Sequence, residues 1–176
     1  MKTKKQLALG TLAVLALSTL LMAFSTVQEN TEQEKKNLAV NQMLYEAAFN
    51  KGDFAAFEKL LAPDVVEHEE LPGFPPNREG VVQFFKMLHQ AFPDLHAEIE
   101  FAIAKDDKVV SYITITGTHK GEFMGMPATG KKIKYRAIDI IRYKDGMVVD
   151  HWGLTDNLTM MQQLGAIPMP EETSKK

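Results

Sequence analysis

The hydrophobic pattern of this chain changes its period near residue 95, and that change limits the folds open to it. Before this point apolar residues recur at the helical spacing of about 3.6 residues, and after it come runs rich in Val, Ile, Tyr and Thr. The pattern predicts three helices, from Leu38, at 54–62 and at 78–92, then four strands, at about 95–104, 109–119, 131–143 and 147–154. Helices followed by strands in one domain predict an α+β fold, with the helices covering one face of a curved, mostly antiparallel sheet.

Short segments between these elements mark where they begin and end. Asp53 suits the N-terminal cap of the second helix, and Pro63 ends that helix. The segment "DVVEHE" at 64–69 predicts a short strand, and "LPGFPPN" at 71–77 predicts a loop because it holds three prolines and a glycine. Asp156 is placed to cap a last short helix.

The N-terminus has the layout of a secretory signal. Lys2, Lys4 and Lys5 precede an uncharged, mostly apolar run at 7–24, and small residues close it. We expect cleavage near Ser25 and an exported protein, periplasmic or secreted. The alternative is an uncleaved membrane anchor, since about 20 apolar residues can cross a bilayer. The expected divisions are a signal at 1–25, a linker at 26–36, one domain at 37–167 and a disordered tail at 168–176.

The composition excludes several kinds of site and partner. The chain has no cysteine, so disulfides and thiolate metal sites are excluded. Without the three signal lysines the 20 basic residues fall to 17 against 23 acidic ones, and a formal charge of −6 argues against nucleic acid or an anionic membrane as partner. The five histidines are scattered without an HxH or HExxH motif, so no metal site is predicted.

Five segments of the chain are similar to one protein family. They are "NKGDFAAFEKLLAPDVVEH", "PNREGVVQFFKMLHQAFPDLHAEIE", "GTHKGEFMGMPATGKKI", "AIDIIRYKDGMVVDHWGLTDN" and "MMQQLGA", in this order. Together they resemble the SnoaL-like polyketide cyclase (ester cyclase) family of the NTF2-like superfamily, over residues 38–166. The resemblance implies an NTF2-like cone that binds a small apolar carbonyl compound at its open end, a homodimer through the sheet, and a cofactor-free, aldol-type ring closure of a polyketide ester.

At two positions expected to be catalytic, this chain differs from the family that it resembles. In the cyclases of the family an aspartate directly after a His-Trp pair moves the proton from an activated carbon, and a histidine on the neighbouring strand assists. Here Gly153 and Asp139 hold these two positions. Asp139 can restore an acid to the cavity, whereas Gly153 favours the alternative of a non-catalytic exported protein that binds a small apolar ligand. A third alternative is an isomerase or hydrolase on the same cone.

The turn between the last two strands decides whether Asp139 and His151 can meet, because a one-residue shift in pairing moves every side chain to the opposite face. If Asp145 and Gly146 alone form the turn, Asp139 lies opposite Trp152. If Lys-Asp-Gly forms a three-residue turn, Asp139 lies opposite His151. The sequence favours the longer turn, since lysine rarely opens a mirror-image turn. This register gives one face the residues Ala137, Asp139, Ile141, Tyr143, Val149, His151 and Gly153.

Asp139 and His151 are the candidate catalytic residues. Their face is otherwise mostly apolar, so we expect burial to raise the pKa of the Asp139 carboxyl group and to make it a better base. Such a carboxylate can remove a proton next to a carbonyl while an N–H of His151 or Trp152 stabilises the enolate oxygen. The alternative is an Asp–His hydrogen bond that only ties two strands together.

Further candidates for contact with a ligand are His68, Tyr143, Phe123, Met124 and Trp152. The favoured register puts Trp152 on the face opposite Asp139. A tryptophan in that position is more often a core residue than a catalytic one. His68 is expected at the cavity mouth with Glu67 or Glu69 pointing away, or else on the surface. Phe123 and Met124 lie between two strands and are expected to form a lid over an apolar ligand, or a dimer contact. Of the other histidines, we expect His119 at the rim of the cavity and His89 and His96 at the surface.

Overall fold

The computed structural model describes residues 30–169, which form one layer of helices on one sheet. The helices are α1 (Glu32–Tyr45), continued by a π-helical turn (Glu46–Lys51), α2 (Phe54–Leu60), α3 (Arg78–Ala91) and α4 (Asn157–Leu164). The strands are β1 (Leu61–Glu67), β2 (His96–Lys105), β3 (Lys108–Thr118), β4 (Lys132–Lys144) and β5 (Met147–Thr155). The predicted signal segment and residues 170–176 lie outside this range. Within residues 30–169 no helix is long and apolar enough to span a membrane.

The strands form one mixed sheet in the order β1-β5-β4-β3-β2. β1 runs parallel to β5, and all other neighbours are antiparallel. Buried and exposed residues alternate along β4, so one face of the sheet packs against the helices and the other faces outward. The predicted α+β class, with three N-terminal helices on a mostly antiparallel sheet, is confirmed.

Side-chain caps fix where the helices begin. The Thr31 hydroxyl accepts a hydrogen bond from the backbone of Glu34, and the Glu34 carboxylate accepts one from the Thr31 backbone at 2.7 Å. This capping box starts α1 before Leu38, its predicted beginning, where the residues are too polar for an apolar period to show. Asp53 and Asp156 cap α2 and α4 as predicted, each accepting from a backbone N–H at 3.0 Å.

β1 begins directly where α2 ends. The sequence pattern assigns Leu61 and Ala62 to the helix, and this assignment is wrong because both are strand residues. Pro63 fits within β1 because β1 is an edge strand, where a missing backbone donor is tolerated. The strand ends at Glu67, which lies opposite His151 in the parallel pairing of β1 with β5.

The turn between β4 and β5 differs from the favoured prediction. Asp145 and Gly146 alone form it, with φ of 52° and 78°, and Lys144 pairs with Met147. Asp-Gly fits a mirror-image turn because both residues adopt positive φ and their twist matches that of the strands. One extra residue in β5, Val149, then shifts the register, so that His151 lies opposite Ile141 and Asp139 lies opposite Gly153. Val148, not the predicted Met147, lies opposite Tyr143, and it is Val148 rather than Val149 that is on the buried face.

Candidate active site

A cavity of about 660 Å³ opens between the helical layer and the buried face of the sheet. Its wall is mostly apolar, and aromatic rings of the helical layer form much of one side: Phe49, Phe57, Phe84 and Phe85. Polar groups from β1, β4 and β5 meet on the other side: Glu67, Asp139 and His151. A mostly apolar cavity with a few convergent polar groups is the usual form of a small-molecule site.

Asp139 and His151 lie on the same face of the sheet and line this cavity. The Asp139 side chain is buried, and its Oδ2 accepts a hydrogen bond from the Tyr45 hydroxyl at 2.5 Å. Its Oδ1 lies 3.6 Å from Nε2 of His151. The structure therefore brings the two candidate catalytic residues together, although through a different turn and register from those favoured by the sequence.

Glu67 holds the other side of the His151 ring. Both carboxylate oxygens of Glu67 lie 2.8 Å from Nδ1 of His151. Burial alone would lower the pKa of His151, but the hydrogen bonds and negative charges of Asp139 and Glu67 outweigh it and raise the pKa from 6.5 to about 10. The ring is therefore an imidazolium at neutral pH, with N–H donors toward both carboxylates.

The expectation that Glu67 or Glu69 points away from the cavity is wrong for both residues. Glu67 is buried against His151, since residues at alternate positions of β1 face the same side as the buried Val65. Glu69 follows β1 and lines the cavity beside Gly153. Burial raises the pKa of Glu69, and the negative charges of nearby carboxylates add to the rise.

Tyr143 does not line the cavity, contrary to its prediction as a ligand contact. Its hydroxyl is buried and donates to Oδ1 of Asn41 at 2.9 Å, and Nδ2 of Asn41 donates to Ser111 at 3.0 Å. The tyrosines that do line the cavity are Tyr45 and Tyr135. Burial, followed by the negative charge of nearby carboxylates, raises the pKa of both hydroxyls, so both stay protonated donors at neutral pH.

His68 and Trp152 form a stacked pair at the edge of the site. Their rings lie 4.6 Å apart and nearly parallel, and Nε2 of His68 is 2.9 Å from Oδ1 of Asp150. His68 lines the cavity mouth. Trp152 lies opposite Ile140 on the outer face and does not line the cavity, so its prediction as a ligand contact is wrong.

The loop between β3 and β4 contributes Phe123 and Met124 to the cavity wall. Phe123 is buried and packs edge-on against Phe92, whereas Met124 is half exposed. His119, expected at the rim, is instead fully buried, with its Nδ1 3.0 Å from the Thr129 hydroxyl. The loop is thus tied to the core through His119 and Phe123, and most of its other residues are exposed to solvent.

The remaining histidines stand apart from the cavity. His89 is half-buried rather than at the surface, because its Nε2 bonds the carbonyl oxygen of Ala48 at 2.8 Å. His96 is exposed, as predicted. Among residues 30–169, no three His, Asp or Glu side chains are arranged to hold a metal ion.

Comparison with known proteins identifies enzymes whose sequences are similar to that of this chain. The aklanonic acid methyl ester cyclase DnrD of Streptomyces peucetius is 35% identical over 131 residues, which cover 70% of this chain and 88% of DnrD. The nogalonic acid methyl ester cyclase of Streptomyces nogalater is 25% identical over 128 residues, or 72% of this chain and 95% of that enzyme. Because both relatives are cyclases, these matches give no support to the alternative of a non-catalytic binding protein.

Solved structures and family models agree with the sequence relatives. The crystal structure of wild-type IdmH from Streptomyces antibioticus superposes with a TM-score of 0.64 at 36% identity, covering 73% of this chain and 98% of IdmH. The model of the SnoaL-like polyketide cyclase family matches residues 39–164, nearly all of the described fold. The chain therefore belongs to the SnoaL-like polyketide cyclase family.

Proposed function

We propose that this protein is a cofactor-free ester cyclase that closes a ring by an aldol-type addition within a small, mostly apolar ester. The observation that carries the proposal is the row Glu67–His151–Asp139, which sets a cationic ring against carboxylates inside an apolar cavity. The two sequence relatives described above are named as cyclases of aklanonic and nogalonic acid methyl esters. Their names support an ester as the substrate class.

The charges of the cavity also favour an ester over a free acid. Four carboxyl groups line the cavity, those of Glu67, Glu69, Glu70 and Asp139, together with the imidazolium of His151. Among the described residues that line the cavity there is no lysine or arginine. A free carboxylate in the substrate would add a negative charge that nothing compensates, whereas an esterified group adds none.

In the proposed reaction the Asp139 carboxylate removes a proton from the carbon next to a carbonyl. His151 stabilises the enolate oxygen through Nε2–H, which the 3.6 Å gap to Asp139 leaves open to a substrate oxygen. The enolate carbon then bonds to a ketone carbon of the same molecule, and the ketone oxygen gains a proton. The product is an isomer of the substrate, so no oxidant, reductant or second substrate enters the balance.

The test is turnover of aklanonic acid methyl ester, nogalonic acid methyl ester and a panel of simpler keto methyl esters. We expect a ring-closed product of unchanged mass, and a fall in kcat of about 100-fold or more in the variant Asp139→Asn. The matched control is Asp145→Asn, on the exposed β4–β5 turn, which should keep the parent kcat. The acid–base role is lost if Asp139→Asn cyclises like the parent, and the cyclase proposal is lost if the parent binds these esters without converting any of them.

We also propose export and pairing through the sheet. Export is supported by the apolar run at 7–24. We expect the protein recovered from its host to have the mass of a chain without residues 1–25. An intact segment would indicate a membrane anchor.

Pairing is supported by exposed apolar side chains on the outer face of the sheet: Phe101, Ile103, Ile138 and Leu154. Sedimentation should show a dimer that Leu154→Asp converts to a monomer, and a monomeric parent would contradict the proposal.

A further inference from the structure

Glu69 occupies space that would otherwise belong to a neighbouring residue. It follows β1, and its backbone N–H donates to Oε1 of Glu67 at 2.8 Å. Its side chain crosses β5 at Gly153, where a Cβ atom would overlap Oε2 of Glu69. The same Cβ atom would lie 3.1 Å from Cε1 of His151. The Glu69 carboxyl group therefore fills the place beside the imidazolium ring that a side chain at position 153 would fill.

The space beside the glycine at this position is taken by Glu69, and its backbone conformation does not require a glycine. The φ angle of Gly153 is not among the positive values of the chain, so any residue could adopt its backbone conformation. A glycine inside a strand often marks the close approach of another group, which here is a carboxylate. A side chain at 153 and the observed position of Glu69 are therefore mutually exclusive.

Glu69 and Asp139 have different surroundings within the cavity. Burial raises the pKa of Glu69, the charges of Asp139 and Glu67 raise it further, and His151 and the Thr155 side chain oppose the rise. Glu69 therefore keeps its proton to a higher pH than an ordinary glutamate. Asp139 instead receives the Tyr45 hydroxyl and faces an imidazolium. Two carboxyl groups placed in different surroundings are a common way for one site to supply both a base and an acid.

We propose that Glu69 is the acid of the ring closure, giving its proton to the ketone oxygen while Asp139 takes the proton from the carbon. The inference rests on the proposed function. The C–H electron pair passes through the enolate into the new C–C bond, the π electrons of the ketone move to its oxygen, and that oxygen takes the Glu69 proton. Asp139 ends with one proton more and Glu69 with one fewer, and exchange with water at the cavity mouth restores both.

The experiment separates the two proton transfers. Aklanonic acid methyl ester is the first probe, followed by the other esters of the panel. Ring closure is measured as kcat and KM, and removal of the carbon-bound proton is measured as deuterium uptake from D2O above a protein-free blank. The variants are Glu69→Gln, Glu69→Ala, Gly153→Asp and the double variant of Glu69→Ala with Gly153→Asp. Glu98→Gln, exposed on β2 and outside the cavity, is the matched control.

We expect Glu69→Gln to lower kcat for ring closure about 100-fold and to leave KM within about 3-fold of the parent, with deuterium uptake retained. In the parent, deprotonation of Glu69 should make kcat fall toward high pH. This fall should be absent in Glu69→Gln. Gly153→Asp alone should displace the Glu69 carboxyl group, which a Cβ atom at 153 would overlap, and should therefore lower kcat. The double variant places a carboxyl group back beside His151, and we expect it to exceed the kcat of Glu69→Ala by about 10-fold. Thermal melts of all variants confirm folding.

The outcomes distinguish this inference from the function on which it rests. If the parent neither takes up deuterium nor cyclises any ester, the proposed function fails and the role of Glu69 fails with it. If the parent cyclises and Glu69→Gln does so at the same rate and with the same pH profile, only the role of Glu69 fails. A double variant no better than Glu69→Ala would likewise overturn it, because a carboxyl group in that place would then have no effect.

Discussion

The raised pKa of His151 predicts a loss of folding stability as the pH rises above neutral. The folded protein binds the imidazole proton up to about pH 10, while the unfolded chain releases it near 6.5. The stabilisation is therefore complete below pH 6.5 and is lost as the pH rises toward 10. At about 1.4 kcal/mol for each tenfold change in the protonation equilibrium, the rise from 6.5 to about 10 corresponds to about 5 kcal/mol.

Urea unfolding at pH 7, 8 and 9 measures this effect. Between pH 7 and pH 9 the folded state binds about one proton more than the unfolded state, so the unfolding free energy of the parent should fall by about 2–3 kcal/mol. The variant His151→Gln should lose almost none of its stability over that range, and His96→Gln, which replaces an exposed histidine, should follow the parent. NMR titration of the imidazole reports the same proton directly. Equal losses in the parent and in His151→Gln would refute the reasoning.

Three further substitutions test a hydrogen bond of the site, a close backbone approach and a helix cap. Tyr45→Phe removes a donor from the buried Asp139 carboxylate and should lower the unfolding free energy in urea by about 1–3 kcal/mol, and no change would show that the hydrogen bond adds nothing. Gly121→Ala drives a Cβ atom into the carbonyl oxygen of Gln90 and should lower the thermal midpoint by about 5 °C or more. Asp156→Ala removes the cap of α4 and should cost about 1 kcal/mol in the same urea assay.

The parts of the fold that depend on local pattern could be predicted from the sequence. The helices and antiparallel strands follow from apolar spacing, and the caps Asp53 and Asp156 follow from short polar side chains before an apolar stripe. The face shared by Asp139 and His151 was also predicted, although from a turn and a register that the structure does not have. Each of these features is set by residues close together in the chain. The start of the first helix, after Thr31, was missed because the residues there are polar and show no apolar spacing.

The rest of the site depends on pairings between distant parts of the chain. Glu67 reaches His151 only because β1 pairs in parallel with β5, a contact that no local pattern specifies. Tyr45 reaches Asp139 from α1, across 94 residues of sequence. Two signals were nevertheless present: Glu67 alternates with the apolar Val65, and Gly153 interrupts a strand in the way that marks a close neighbour.

The position of His151 inside the cavity depends on two irregularities that compensate for each other. The Asp-Gly turn is one residue shorter than the favoured prediction, and by itself it would place Trp152, not His151, on the face of Asp139. The extra residue Val149 restores the face, as one inserted residue must when side chains alternate.

Contacts on the outer face of the sheet stabilise the bulged register of β5. Asp150, directly after the bulge, forms an ion pair with Arg142 and lies 2.9 Å from Nε2 of His68, whose ring stacks on Trp152. If β5 returned to the unbulged register, Asp150 would enter the apolar cavity without Arg142, and burial of an unpaired carboxylate costs several kcal/mol. The two residues on either side of His151 in the chain thus stabilise its position from outside the cavity, and the catalytic geometry proposed here requires both faces of β5.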